Sequence, residues 1–272
     1  MNKVQWVVLL IVLSLVGCYD DKEGCLDPNA VNFDVSADKD CCCQYPALTL
    51  NVSWKENDTT FLSLNKVFLD DAQQPYKLLG VRFYLSHLEV VDVDQNAVDV
   101  NGESEKWVYG AGNVPEKAKV SDNVLLIKQT QADYKLGTFK RPGTYQGIRL
   151  DIGLDAQQNA VIPDSLSGEN VLGFKPDSMW VAPKMYIQQQ WIVMTDTSSS
   201  MPQVDTFQVL SVQGGVELAY NPLLVVPQGA NYELKIAVDM SQWLHNIKWG
   251  ANKMEILQKL ADNSKDALSL VQ

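Results

Sequence analysis

The sequence predicts an all-β protein, a β-sandwich of mostly antiparallel strands with a C-terminal amphipathic α-helix. Stretches of alternating apolar and polar residues, such as Ala47–Trp54, are typical of strands that bury one face. Turn chemistry rich in Pro, Gly and Ser separates these stretches, as at residues 141–143, 198–200 and 227–229. A clear helical period is confined to the C-terminal end. Two sheets that bury their apolar faces against each other satisfy these observations.

The first element is a leader typical of an exported lipoprotein. Lys3 gives a positive start, residues 4–16 are almost wholly apolar, and residues 15–18 (Leu-Val-Gly-Cys) have the form of a lipobox. The apolar run is too short to remain in a bilayer as a spanning helix. We therefore predict a signal peptide over residues 1–17 and acylation of Cys18, which anchors the chain to a lipid membrane. The predicted location is the cell envelope, lipid-anchored in the outer membrane and facing the periplasm or the cell surface. An ordinary signal peptide followed by an accidental Cys18 is the alternative.

Residues 18–45 are predicted to form the lipid anchor and a turn-rich, cysteine-rich spacer. Export to an oxidising compartment favours disulfides among four cysteines: Cys25, Cys41, Cys42 and Cys43. Bonds between neighbours in this run are strained, and we favour Cys25–Cys43 as the main bridge. A soft-metal thiolate site is the alternative, although consecutive thiolates are poorly spaced for tetrahedral coordination. Four carboxylates offer oxygen ligands to calcium without EF-hand spacing: Asp27, Asp34, Asp38 and Asp40. The spacer resembles a short Asx-rich cysteine motif found between the lipid anchor and the main domain of many surface lipoproteins.

The main domain is predicted over residues 46–272. Its strands are expected at residues 47–54, 76–94, 145–154, 185–194, 206–212 and 232–240. Residues 251–271 place Met254, Leu257, Leu260 and Leu268 at helical spacing, with charged residues largely elsewhere. We expect this segment to be the amphipathic helix and to pack on the sheets.

Charge and motifs argue against several classes of function. The net charge of −11 argues against a nucleic-acid partner, because phosphate binding requires clustered positive charge. The sequence contains no His-Glu-x-x-His pattern, Gly-x-Ser-x-Gly elbow, phosphate loop or dinucleotide fingerprint. Asp70 and Asp71 are expected to be solvated loop charges. We therefore predict no catalytic residues and expect that the protein is not an enzyme.

Four motifs follow one another along the main domain, and each has a counterpart in one known protein family. Residues 76–88 contain Phe-Tyr-Leu-Ser-His-Leu, similar to a family strand with the core Phe/Tyr-Tyr-Ile/Leu-Ser-Asn-Ile/Leu. Residues 143–155 contain a Gly-x-Tyr and an Ile-Gly-Leu-Asp turn of the family type. Residues 179–187 lie where the family has a Trp-x-Trp segment before a Gly-Tyr-Ile strand. Residues 236–240 and 260–263 resemble its last strand and its helix ending in Ala-Asp-Asn. In their order along the chain, these motifs resemble the MbnP-like family.

The resemblance implies an extracytoplasmic, β-rich copper-binding protein with histidine ligands. In some members a tryptophan is oxidised to kynurenine by a partner, a dihaem peroxidase-type enzyme. Imidazole nitrogens and an oxidised ring suit copper. The candidate copper ligands of this chain are His87, Trp180, Met185 and His245. His87 takes the family's Asn position, and by alternation we expect it to share a face with Leu85 and Glu89.

Several family ligands are absent from this sequence. Ser53-Trp54 stands where the family's first strand commonly ends in Asp-His, Gln208 stands where a later strand has His, and Ala182 replaces the second tryptophan. Copper binding is the leading hypothesis, by resemblance, and calcium is a second candidate ion, with further oxygens at Asp151, Asp155 and Asn159. The rival hypothesis is a metal-free module that binds a protein or glycan partner through exposed aromatic residues: Trp107, Tyr109, Trp191 and Trp249.

Overall fold

The computed structural model describes residues 20–57, 59–64, 66–174, 179–181, 185–195, 197, 201–212 and 214–271. In chain order its strands are β1 (Glu23–Gly24), β2 (Lys39–Asp40), β3 (Ala47–Asn57), β4 (Thr60–Phe61), β5 (Val67–Leu69), β6 (Pro75–Asp92), β7 (Ala97–Asp99), β8 (Glu103–Tyr109), β9 (Pro115–Ser121), β10 (Val124–Lys128), β11 (Asp133–Thr138), β12 (Gly143–Ile152), β13 (Trp180–Val181), β14 (Met185–Tyr186), β15 (Gln189–Met194), β16 (Val204–Val209), β17 (Gly215–Val226), β18 (Tyr232–Asp239) and β19 (Leu268–Leu270). Its helices are α1 (Ala156–Asn159), α2 (Met240–Trp243) and α3 (Lys253–Asn263), with 3-10 turns at Ala111–Asn113, Pro163–Ser165 and Ser264–Asp266. The predicted signal peptide and Cys18 lie outside these residues. Within the described chain, no helix is long and apolar enough to cross a membrane.

Two sheets form the sandwich that the alternation predicts. The larger has eight strands in the order β16-β15-β6-β12-β17, and β5, β7 and β10 also pair with β6. The smaller has five strands in the order β11-β3-β18-β19, with β4 paired to β3. Pairing in both sheets is antiparallel except between β3 and β18, which run parallel. The predicted fold class is confirmed.

The main core fills the space between the two sheets. The alternating apolar residues of β3 are all buried in it: Leu48, Leu50, Val52 and Trp54. At its centre the Trp243 ring lies edge-on to Phe83, with 4.8 Å between centroids, and to Trp191, with 5.1 Å. Trp191 is fully buried, so the expectation that it is an exposed aromatic residue is wrong.

The C-terminal helix is shorter than its periodicity predicts. It begins after Asn252, whose side chain accepts the N–H of Met254 at 2.9 Å, and it ends at Asn263. The chain then passes through a 3-10 turn into β19, where Leu268 lies opposite Val238 of β18. The extended segment hydrogen-bonds to the edge of β18. The helix therefore ends before this segment, although apolar residues continue at helical spacing.

Two further differences concern strands. The predicted strand at residues 185–194 is two strands, β14 and β15, which belong to different sheets. Among the strands of five or more residues, β8 to β11 and β17 were not predicted. In the β8–β9 hairpin, charged residues such as the exposed Glu105 and Lys119 dilute the apolar alternation. The hairpin helps to build a second, smaller core that includes Val108, Tyr84 and Tyr186.

The spacer is tied together by disulfides and a short parallel ladder. Cys25 is bonded to Cys43, and Cys41 to Cys42. Strands β1 and β2 pair in parallel. The carboxylates proposed for calcium are hydrogen-bonded inside the unit: Asp34 accepts the N–H of Ser36 at 2.9 Å, and Asp40 accepts the N–H of Leu26 at 2.9 Å. These bonds define turns, so a short segment becomes compact with few apolar contacts.

Candidate functional site

His87 lies at an irregularity of β6. Against β12, Glu89 lies opposite Arg149 and Ser86 lies opposite Asp151, so β6 has one extra residue between these pairs. His87 has a φ of 50°. Few side-chain-bearing residues adopt this left-handed conformation, and His, Asn and Asp are enriched among them. The sequence therefore places at the bulge a residue that tolerates its backbone.

The bulge decides which face His87 occupies. Leu85 is buried in the main core, whereas His87 and Glu89 line an outer cleft of about 370 Å³. The prediction that His87 shares a face with Leu85 is wrong, because strict alternation fails where a strand contains an extra residue. The prediction that it shares a face with Glu89 is confirmed.

Both ring nitrogens of His87 are held by carboxylates. Nδ1 lies 3.0 Å from Oδ2 of Asp151, and Nε2 lies 3.1 Å from Oδ2 of Asp155. Hydrogen bonds to Asp151 and Asp155 raise the pKa of His87 to about 10, against the opposing effect of burial. The side chain is therefore an imidazolium at neutral pH. Its two partners lie on opposite sides of the ring.

Asp155 also begins helix α1. Its Oδ1 accepts the N–H of Gln158 at 2.6 Å, while the Gln158 side chain accepts the N–H of Asp155 at 3.2 Å, a complete capping box. Burial alone would raise the pKa of Asp155, but the bonds from His87 and Gln158 bring it below its usual value. His87 thus links β6, β12 and α1 in one ionic network.

The other candidate ligands lie elsewhere. His245 is exposed in the loop after α2, and its carbonyl accepts the Asn263 side-chain amide at 2.7 Å. It lines a different cleft from His87. Trp180 is half-buried, with its ring 4.7 Å from that of Tyr186, and Met185 is 39% exposed on the partner strand. Residues 182–184, which include the position of the family's second tryptophan, lie outside the described residues.

The structure therefore does not gather the predicted copper ligands. Among the described residues, Cys25, Asp40 and Cys43 form the group of potential ligands close enough to share an ion. The sulfurs of that group are bonded to each other in a disulfide, so they are not free thiolates. The oxygen of Asn159 proposed for calcium accepts the N–H of Tyr186 at 3.1 Å.

A larger cleft, of about 440 Å³, opens at one end of the sandwich. We call it the end cleft and define it by three groups of lining residues: the aromatic Phe68, Tyr76 and Trp249, the acidic Glu56, Asp70 and Asp71, and Lys66 with His245. Strands β5 and β6 supply one wall, and the segment from α2 to Trp249 supplies the other. The volume is within the range of small-ligand pockets.

Ring contacts and a buried carboxylate hold the aromatic wall of the end cleft in place. Tyr76 lies between Phe68 and Trp249, with 5.6 Å between centroids on each side. Trp249 is 7% exposed, so the expectation that it is an exposed residue is wrong. Asp70 is also 7% exposed and accepts the backbone N–H of Trp249 at 3.0 Å. Asp70 is therefore a buried structural carboxylate, which corrects its prediction as a solvated loop charge.

The end cleft already holds an ammonium group of the chain itself. Lys66 Nζ lies 2.7 Å from Glu56 Oε1 and 5.3 Å from the centroid of the Phe68 ring. Burial, together with the nearby Asp70, Asp71 and Glu56, raises the pKa of Tyr76 to about 12. The negative field of these carboxylates therefore reaches the aromatic wall. Sequence analysis missed this cleft, and the adjacent Asp70 and Asp71 were its one visible signal.

Most of the main domain matches a known family model. The family model named MbnP matches residues 45–259. Among solved structures, MbnP from Methylosinus trichosporium is similar with a TM-score of 0.42 and 11% identity, over 75% of this chain and 79% of that chain. No curated protein sequence matches this chain significantly.

Proposed function

Because this chain belongs to the MbnP family, we propose that it is an envelope lipoprotein, anchored through Cys18, whose β-sandwich is a metal-free binding module. The lipobox and the short apolar leader support the anchor. The module is not an enzyme. Its site is the end cleft, and its ligand is a protein partner that presents a basic side chain.

The environment of His87 is the observation that carries the metal-free assignment. The family implies copper, yet this chain has two histidines, and both nitrogens of His87 are in ion pairs. A metal requires the neutral imidazole, so a pKa of about 10 lowers apparent affinity at neutral pH about a thousandfold. His245 stands alone, exposed in another cleft. The residues therefore do not fit the family's copper site, and the dihaem partner that the resemblance implies has no role in this proposal.

Three features of the end cleft favour a basic ligand. Its carboxylates give it negative potential, and the exposed Asp71 stands at its rim. The half-buried Phe68 of its aromatic wall offers a ring face to a cation. Lys66, about half exposed, already occupies the position between Glu56 and the Phe68 ring. A partner's lysine or arginine side chain fits the same chemistry once Lys66 swings out.

Copper loading tests the metal assignment. The processed chain would be loaded with copper, desalted and analysed by elemental mass spectrometry beside His87→Asn and His245→Asn. We expect less than about 0.1 copper per chain in all three, because the ring nitrogens are not available for coordination. About one copper per chain that disappears in His87→Asn would contradict the proposal.

Calorimetric titration with a pentalysine peptide tests the end cleft. We expect Asp71→Asn to weaken binding several-fold, and Lys66→Met to strengthen it, because Lys66 competes for the same position. Asp94→Asn, on an exposed turn away from the cleft, is the matched control for lost charge. Equal weakening by Asp71→Asn and Asp94→Asn would show that the peptide senses net charge and does not enter the cleft.

A further inference from the structure

The spacer is packed against the sandwich. The Asn29 and Gln228 side chains meet at 3.3 Å, and the carbonyl of Ala30 is so close to Gly229 that a Cβ there would lie 2.9 Å from it. The ammonium of Lys140 lies 3.4 Å from the centroid of the Tyr45 ring. These contacts join the spacer to the β17–β18 turn and to the loop before β12, so the spacer fixes the orientation of the domain.

One corner of the spacer is apolar and exposed. Val35 is 83% exposed and Phe33 is 45% exposed; we call these two residues the apolar corner. The corner lies beside the start of the chain, because Lys22 forms an ion pair with Asp34 at 2.7 Å and a hydrogen bond with Ser36. Val35 thus sits between two residues that contact Lys22.

The position of the anchor brings this corner to a membrane. Cys18 precedes Lys22 by four residues, and an extended chain of that length spans at most about 14 Å. The apolar face of an interfacial segment lies about 5–10 Å deep, at the boundary between headgroups and acyl chains. A lipid on Cys18 therefore holds the corner within reach of the bilayer surface.

We propose that the apolar corner, Phe33 and Val35, inserts into the headgroup region of the bilayer that holds Cys18, and that it orients the whole domain on that surface. The inference rests on the lipid anchor of the proposed function. The spacer contacts the β17–β18 turn. The side of the sandwich that carries this turn therefore faces the same bilayer.

The net negative charge of the spacer disfavours contact with anionic lipids. Its acidic residues outnumber its basic ones: Asp20, Asp21, Glu23, Asp27, Asp34, Asp38 and Asp40 stand against Lys22 and Lys39. An anionic surface repels such a unit. Insertion is therefore driven by the apolar side chains, and zwitterionic phosphatidylcholine is the lipid that suits it best.

Photo-crosslinking tests the inference in the lipidated full chain, reconstituted in phosphatidylcholine vesicles. Benzoylphenylalanine would replace Val35 in one sample and, as the matched control, Val114 in another. Val114 is 62% exposed between β8 and β9. We expect lipid adducts, measured by mass spectrometry, to be at least about tenfold more abundant from position 35, and to decrease when anionic lipid is added.

Vesicle flotation of the unsubstituted chain and of Cys18→Ser separates the two proposals. Flotation that is lost in Cys18→Ser shows that the anchor is present. Equal lipid adducts from both positions in floating protein, or adducts with protein from position 35, would overturn the membrane contact and leave the anchor standing. A lipidation-competent chain that does not float would overturn both.

Discussion

Replacement of His87 by asparagine removes an imidazolium from between two carboxylates and leaves the backbone nearly undisturbed. Asparagine tolerates the φ of 50° found at this position. The two lost contacts are the pairs to Asp151 at 3.0 Å and Asp155 at 3.1 Å. The pH-dependent part of the change in the free energy of unfolding therefore isolates the electrostatic contribution of the network.

The size of this contribution follows from the pKa and from exposure. A rise of the His87 pKa from 6.5 to about 10 would correspond to about 5 kcal/mol. The side chain is 33% exposed, and its partners are 44% and 34% exposed, so solvent screens these pairs. After this discount we expect His87→Asn to lower the free energy of unfolding by about 1–2 kcal/mol near pH 6.

The pH dependence gives the decisive test. The folded-state pKa is raised, so the contribution is complete below about pH 6.5 and is lost as the pH rises through about 10. Urea unfolding followed by tryptophan fluorescence, at pH 6 and at pH 10.5, would measure it. We expect the difference between the native chain and His87→Asn to approach zero at the higher pH, with His245→Asn near zero at both. The same difference at both values of pH would refute the electrostatic reasoning.

Two further predictions concern packing and are measured by urea unfolding at neutral pH. Trp243→Ala should lower the free energy of unfolding by about 3–5 kcal/mol, because it empties a fully buried position in the main core. The control is Trp107→Ala, at a 44% exposed ring, which should lower it by less than about 1 kcal/mol. Equal losses in the two variants would contradict the assigned burial. Gly147→Ala should cost about 1–3 kcal/mol, because its Cβ would lie 2.4 Å from a carbonyl oxygen of β17. The control is Gly102→Ala, where the added Cβ would meet no atom within 4 Å. If Gly147→Ala left the free energy of unfolding unchanged, β12 and β17 would have to separate easily.

The strands that could be predicted are those with strong local alternation. In β3 the buried positions follow the sequence pattern residue by residue. The β8–β9 hairpin escaped prediction because pairing with a partner strand, and not local hydrophobicity, defines it. Similarly, the end of α3 depends on the edge of β18, which lies more than twenty residues away in sequence.

The site could be predicted less well, because it depends on contacts between distant segments. The position of His87 was visible in the sequence, but its orientation follows from a bulge against β12 that no local pattern reveals. The end cleft joins residues 56–78 to residues 240–249. Both cases require the sandwich to be assembled before neighbouring side chains can be identified.

The bulge gives a physical meaning to the position at which the family resemblance has asparagine. A φ of 50° favours asparagine or histidine over other side chains, so the position is constrained by its backbone whichever of the two it carries. In this chain histidine adds a charge, and Asp151 and Asp155 neutralise it from both sides of the ring. A histidine selected for the bulge and closed off by two carboxylates is a structural cation. Ligand recognition then has to come from another surface. The end cleft offers one, where the exposed Asp71 and the half-buried Phe68 ring lie beside Lys66.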